Sequence, residues 1–347
     1  MGISISIKKY TASLMFHAGI TKRILHNKKY HDVLILMYHR VIHKTEGDFV
    51  QNGMYVDPKT FKSHIIFLKN NFNIVPISVL SNFPFKAELH FPYNQSNPFC
   101  IITFDDGWKD FYTYVYPILK KYDVNATIFL PTGFIGTKNW FWTDLVGNLF
   151  YTKNIKKKTI RKPENSKNTM INILEKIPGT HESKVEAVIN LLKPLRQDKI
   201  QNILFELSER WEIDPQPKER GFLSWDEVRE MYKSGIVSFG SHTESHRILT
   251  TLTNDEIRAE LIESKNKMIA EEIVAPSFIP FSYPNGNYTN DIKEMVKKAG
   301  YNLAVTTDRG WNRFQHGVDL YQLDRIPIHQ DMVSSDAMFY CRIAELI

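Results

Sequence analysis

Two short stretches hold residue types that do chemistry on carbonyl compounds. Cys100–Trp108 reads CIITFDDGW, an apolar run that stops at two aspartates and a glycine. Phe239–His246 reads FGSHTESH, with His242 and His246 four residues apart. Adjacent residues of an extended segment point to opposite sides. Asp105 and Asp106 can therefore take different tasks, one toward a cation and one toward a water, with Gly107 permitting the sharp turn after them. A helical turn over 242–246 would place both imidazoles on one face, a common arrangement in two-histidine cation sites. Thr243 would orient a ligand or cap that turn. Two imidazoles and one carboxylate leave positions open on a divalent cation, which is the donor set of a catalytic site. Such a cation lowers the pKa of water toward ~7 and polarises a carbonyl, and the second carboxylate is available as base. The chemistry implied is hydrolysis of an amide or ester. Each stretch alone has a plainer reading, an Asp-Asp-Gly turn or a surface histidine pair. Together, at two strand ends of one sheet, they point to a site.

The elements that must position these residues follow from hydrophobic periodicity. Strands are expected at Val33–Tyr38, Phe99–Phe104, Ala126–Leu130, Ile236–Phe239, Phe278–Tyr283 and Leu303–Thr306. Helices are expected at Pro58–Lys69, Tyr112–Lys121, Trp225–Ser234, Asp255–Met268 and Thr289–Ala299. Alternating strands and helices make a parallel sheet, and their number favours a barrel or distorted barrel. Residues 138–220 break the rhythm and read as a helical insertion. Its basic run at Lys153–Lys162 reads as a solvated loop.

The chain has 347 residues, 43% hydrophobic and 24% charged, as in a globular protein with a sizeable core. Net charge is +6. No Arg/Lys stripe interleaved with aromatics points to nucleic acid. Two cysteines cannot build a disulfide framework or a four-thiolate zinc site. Residues 1–32 form the expected N-terminal segment. Within it, residues 8–26 read as a basic amphipathic helix, either lying on a membrane surface or packed on the domain. The opening MGISIS matches the short N-myristoylation pattern. The start lacks a secretory apolar run, and no segment is long and apolar enough to span a bilayer. The expected location is the cytoplasm or the inner membrane surface.

TFDDG with SHTESH resembles the first two motifs of the polysaccharide deacetylase family, carbohydrate esterase family 4. FSYPNGNY, Phe281–Tyr288, resembles the third. LMYHRV, Leu36–Val41, resembles the permuted branch, that of poly-N-acetylglucosamine deacetylases. The resemblance covers about residues 33–135 and 222–328. It implies a distorted (β/α)7-type barrel over 33–347 and removal of N-acetyl groups from an amino sugar of a polysaccharide or glycolipid precursor. The implied cofactor is a divalent cation, zinc first, with cobalt, nickel or manganese also accepted by such ligands. Rival functions are an O-acetyl esterase or other amidohydrolase on the same site, and a non-catalytic glycan-binding domain.

The resemblance also implies roles. Asp106, His242 and His246 hold the cation, and Asp105 is the general base. The backbone N–H of Asn285 helps hold the oxyanion, with Pro284 and Gly286 shaping the turn. His39 is the general acid, with His329 as competitor. Two departures stand out. Ser282 occupies the place of an arginine that orients the base, and Asn285 the place of a tyrosine. Arg325 is the expected substitute for that arginine. Tyr283 and Pro284 are expected beside the substrate, and Trp311 either walls the acetyl methyl or packs in the core. Trp108, Trp140, Trp142 and Trp225 are sugar platforms or packing. His31, His43, His64, His90, His181 and His316 read as surface residues.

Overall fold

The computed structural model describes residues 5–29, 31–44, 50–51, 53–82, 97–155 and 169–347. The opening Met1–Ser4, His90 and most of the basic run at Lys153–Lys162 lie outside them, as do the side chains of His181 and His316. The chain divides into two compact units. One comprises Met1–His43, Gly53–Gly136 and Phe222–Ile347; the other comprises Lys44–Asn52 and Thr137–Gly221.

In the first unit, helices α1 (Ile5–His17) and α2 (Ile20–His26) precede strand β1 (Asp32–Tyr38). The single helix expected over 8–26 is two, because Gly19 takes a left-handed φ of 72° between them. Strands β2 (Arg40–Val41) and β3 (Tyr55–Val56) pair separately. Helix α3 (Pro58–Asn71) starts cleanly, with Asp57 accepting from the Lys59 N–H and proline in its first turn. The main sheet adds β4 (Asn73–Ile74), β5 (Phe99–Phe104), β6 (Ala126–Leu130), β7 (Val237–Ser241), β8 (Pro280–Ser282), β9 (Leu303–Val305), β10 (Asn312–Arg313) and β11 (Ile326–Pro327). Its order is β10-β1-β5-β6-β7-β8-β9, with β11 beside β1 and β4 beside β5. All these pairs are parallel except β1 with β10. A parallel bridge from Val305 to Leu323 continues the curl toward β11. The result is a curled half-barrel of the (β/α)7 type.

Every residue of β5 and β6 is buried. That is why these strands read as unbroken apolar runs: both faces of a parallel barrel strand are covered, the outer by helices and the inner by packed side chains. After β5 comes a π-helical turn, Phe111–Val115, and then α4 (Tyr116–Tyr122). The second unit is helical: α5 (Trp142–Ile155), α6 (Thr169–Lys176), α7 (His181–Leu192) and α8 (Gln197–Trp211) share a core that includes Val146, Leu174, Val188 and Leu207. Back in the first unit lie α9 (Trp225–Lys233), α10 (Asn254–Ala270), α11 (Asn290–Lys298) and α12 (Asp336–Ile343). Capping boxes start α9 at Ser224 and Glu227, and α10 at Thr253 and Glu256.

One histidine read as a surface residue is not one. His64 is 1% exposed, meets the Tyr38 hydroxyl at 3.2 Å and stacks on Phe339 at 3.8 Å. It lies on the inner face of α3, where helical spacing with Phe61, Ile65 and Leu68 carries it into the core. Burial pushes its imidazole down to about 3. The unfolded chain takes up that proton near the ordinary value of ~6.5. The folded state's advantage is therefore complete above that range and is lost as pH falls through it toward about 3. Urea denaturation at about pH 7 and about pH 5 should show a drop in stability that is smaller in His64→Leu; equal drops would contradict this.

Candidate metal centre

The parallel sheet brings four strand ends to one edge. Asp105 and Asp106 follow β5, His242 follows β7, Tyr283 follows β8 and His39 follows β1. The β1–β5 register pairs Tyr38 with Phe104, and the Asp105 N–H donates to the Tyr38 carbonyl at 2.9 Å. The β6–β7 register pairs Leu130 with Ser241, and the His242 N–H donates to the Leu130 carbonyl at 2.9 Å. The C-terminal edge of a parallel barrel is where catalytic groups gather.

Asp106, His242 and His246 present one ligand atom each, all within 4.8 Å of one another. The Asp106 Oδ1 lies 3.3 Å from His246 Nε2 and 3.6 Å from His242 Nε2. His242 Nδ1 lies 2.8 Å from the Ser282 carbonyl. That carbonyl can only accept, so Nδ1 carries the proton and the Nε2 lone pair faces Asp106. Burial pushes the His242 imidazole down to about 4, which keeps the ring neutral near neutral pH, as a ligand must be. Burial opposes charge on Asp106 too, but His246, by hydrogen bond and charge, with His39 and His242, holds its carboxyl well below the usual range. One ionised carboxylate oxygen and two imidazole nitrogens, converging from two buried residues and one half-buried one, fit a divalent cation.

The histidine segment is not the helical turn expected from its spacing. Residues 242–248 form a loop in which Thr243 and His246 have φ of 65° and 56°. Asp106 and Asn285 also have positive φ, 74° and 57°. Such conformations are costly for non-glycine residues and persist where surroundings dictate them. Here the surroundings are specific. The Glu260 carboxylate, from α10, accepts from the N–H groups of Glu244 (3.0 Å) and Ser245 (2.8 Å) and from the Ser245 hydroxyl. Thr243 Oγ1 accepts from the His246 N–H at 3.0 Å, and Ser264 reaches the loop through Ser241 at 2.7 Å. Thr243 thus orients the second histidine. Glu260 was invisible in the sequence, where it looks like one more acid on a charged helix.

Asp105 faces a different partner. Arg325 is fully buried and forks onto it, with Nη1–Oδ1 and Nη2–Oδ2 both 2.7 Å. The guanidinium is held in turn by the Thr306 carbonyl (2.7 Å) and by the hydroxyls of Thr103 and Ser282 (3.2 Å each). Ser282 therefore stands beside the ion pair instead of supplying it, and its short side chain shares the space with a guanidinium that arrives from just before β11. Burial alone would raise the Asp105 carboxyl; the charge and hydrogen bonds of Arg325 outweigh it and hold the carboxyl below its usual range.

The structure also separates residues that the sequence grouped. Tyr283 is fully buried, with its hydroxyl donating to the Tyr321 carbonyl at 3.0 Å, so it is a packing residue and not a substrate contact. Trp311 belongs to the far end of the barrel. Its neighbour Asn312 pairs with Val33 at the start of β1, and its indole N–H donates to the Ile343 carbonyl at 2.8 Å. Six residues of strand, about 20 Å, separate that end from His39, so Trp311 cannot wall the acetyl group. Pro284 is buried and opens the turn in which the Gly286 N–H donates to the Tyr283 carbonyl at 2.9 Å. Gly286 has φ of 74°, and a Cβ there would meet Thr307 Oγ1 at 1.9 Å, so only glycine fits. His39 is half-buried and contributes to the low pKa of both aspartates. His329 instead bonds Asp331.

A tryptophan completes the ligand set's surroundings. Trp108, directly after the Asp-Asp-Gly turn, donates its indole N–H to Asp106 Oδ2 at 3.1 Å. Oδ1 is left to face the histidines. The indole is stacked on Phe222 at 4.6 Å and covered by the Arg40 guanidinium at 4.4 Å; Arg40 is fixed by Asp110 at 2.7 Å. Trp108→Phe keeps the stacking and removes the hydrogen bond. Its expected effect is a cation affinity about 10- to 100-fold weaker, read by competition against a chromophoric chelator; unchanged affinity would show that the indole only packs.

A family model described as polysaccharide deacetylase matches residues 93–304. The chain belongs to the polysaccharide deacetylase family. This deacetylase is 24% identical over 303 residues to the Bacillus subtilis protein YxkH, named for the same family; the match covers 87% of this chain and 73% of the relative. It is 30% identical over 130 residues to a poly-beta-1,6-N-acetyl-D-glucosamine N-deacetylase of Staphylococcus aureus, covering 34% of this chain and 42% of that one. Among solved structures, the Streptococcus pyogenes deacetylase PplD in complex with acetate aligns with a TM-score of 0.54 at 20% identity, over 87% of this chain and 94% of that one. IcaB from Ammonifex degensii aligns with a TM-score of 0.54 at 16% identity, over 89% and 97%. These two likenesses show the fold.

Proposed function

We propose that this deacetylase removes N-acetyl groups from an amino sugar of a polysaccharide or glycolipid precursor, using a divalent cation, zinc first. The observation that carries the reading is the Arg325–Asp105 fork set beside the converging Asp106, His242 and His246. Asp106, His242 and His246 would hold the cation, which would polarise the amide carbonyl and acidify a water toward ~7. The arginine-paired Asp105 is ionised and fixed in direction by two hydrogen bonds, so it can serve as the base. Asp105 takes the water's proton as the oxygen attacks the carbonyl carbon. The Asn285 N–H, in its strained turn, helps stabilise charge on the carbonyl oxygen. His39 gives a proton to the sugar nitrogen as the carbon–nitrogen bond breaks, releasing acetate and a free amine.

The N-acetyl assignment is supported by the Staphylococcus aureus relative, whose name states that chemistry. The test is acetate release from a panel of N-acetylhexosamine oligomers and O-acetylated sugars. Release from N-acetyl substrates is expected. Release from O-acetyl sugars alone would make the protein an esterase, and release from neither would contradict the reading.

A further inference from the structure

Before Asp32 the chain carries Lys8, Lys9, Lys22, Arg23, Lys28 and Lys29 and no acidic residue. The whole chain has 44 Lys and Arg against 38 Asp and Glu, so everything from Asp32 onward is formally neutral. The net positive charge of the molecule thus lies in the two N-terminal helices and the short stretch after them. Charge concentrated in this way marks a surface for a polyanionic partner.

Helix α1 is apolar on two sides. Its inner side is committed: Ala12 is fully buried in a cluster with Met338 and Cys341, and Met15, Leu346 and Ile347 pack against it. The Cys341 thiol also donates to the Ala12 carbonyl at 3.6 Å. Ile7, Tyr10 and Leu14, spaced three and four residues apart, line the other side and are 55%, 67% and 53% exposed. Ile20, at the start of α2, is 44% exposed. Lys9, Lys22, Arg23 and Lys29 are exposed, while Lys28 lies over the Trp311 ring. An exposed apolar row beside exposed lysines and arginines pairs the two attractions, apolar burial and charge, that hold a protein surface on an anionic bilayer. A second copy of the chain would face cations with cations, so self-association through this surface is disfavoured.

We propose that α1 and α2 dock this deacetylase on an anionic phospholipid bilayer. Ile7, Tyr10, Leu14 and Ile20 enter the headgroup region while Lys9, Lys22, Arg23 and Lys29 meet lipid phosphates. Because α1 is packed on α12, docking holds the barrel itself at the membrane, where a lipid-linked glycan would be presented. This surface is separate from the metal centre and stands or falls without it.

The test is co-sedimentation of the full chain with phosphatidylcholine vesicles, with and without phosphatidylglycerol. Binding only to the anionic vesicles is expected, weakening as salt is raised. The variant Lys22→Glu/Arg23→Glu and the variant Ile7→Ser/Leu14→Ser should each lower the partition about tenfold or more. Acetate release from a soluble oligomer and the melting temperature should stay unchanged in both, since the altered side chains are exposed. Equal binding to neutral and anionic vesicles, no binding to either, or a dimer in solution that Ile7→Ser/Leu14→Ser dissolves would overturn the proposal. Vesicle binding by the unaltered chain without any acetate release would tell against the catalytic reading instead.

Discussion

Asp105→Asn is expected to lower acetate release by about 10²- to 10⁴-fold, the usual worth of a positioned general base, without lowering cation content. The change is nearly isosteric. The asparagine oxygen can still accept from the Arg325 fork, and Thr306, Thr103 and Ser282 continue to hold the guanidinium. What is lost is the ability to take a proton. Cation content measured beside the rate separates this from collapse of the ligand set, because Asp105 is not among the three converging ligands. Full activity in the variant would remove Asp105 from the mechanism. Low activity with low cation content would make it structural.

Arg325→Met should act on stability as much as on rate. Arg325 has no exposed surface and Asp105 is 3% exposed. Removing the guanidinium leaves a buried carboxylate uncompensated, which costs about 3–5 kcal/mol. The folded state's remedy is to protonate Asp105, so its pKa should rise, since burial then acts without the opposing arginine. Two results follow. The urea midpoint should fall sharply, and the acid limb of kcat/KM should move to higher pH. Adding Asp105→Asn to Arg325→Met removes the stranded charge and should restore part of the lost stability while leaving activity low, a coupling that a double-mutant cycle measures. Additive losses would mean that the fork carries little energy.

The two predictions rest on residues of unequal legibility. Asp105 and Asp106 could be read because the apolar run before them has the signature of a two-sided buried strand, and such strands end at the active edge. Arg325 has no local signature. It lies 220 residues from its partner and comes into view only when Ser282 is seen to occupy an arginine's place. The histidine pair shows a different limit. A spacing of four fits a helical turn, and nothing local foretells a threonine at φ 65°. That conformation is imposed by Glu260 and Ser264 from α10, which are remote in sequence. Tyr283 misled in the opposite way, and of the two readings of Trp311 the packing one holds. Aromatic residues near motifs look like binding surface, whereas these two are buried and spend their polar atoms on backbone carbonyls. Trp108 was legible as an aromatic beside the turn, but not as a donor to a ligand, because that bond depends on the rotation of the indole.

The central claim is that Asp106, His242 and His246 hold a divalent cation on which deacetylation depends. The most direct test is acetate release from an N-acetylglucosamine oligomer by protein stripped with a chelator and then reloaded with zinc, cobalt, nickel or manganese in turn. The account predicts that release disappears on stripping and returns with at least one of these cations, zinc first. Release that survives complete stripping would contradict it.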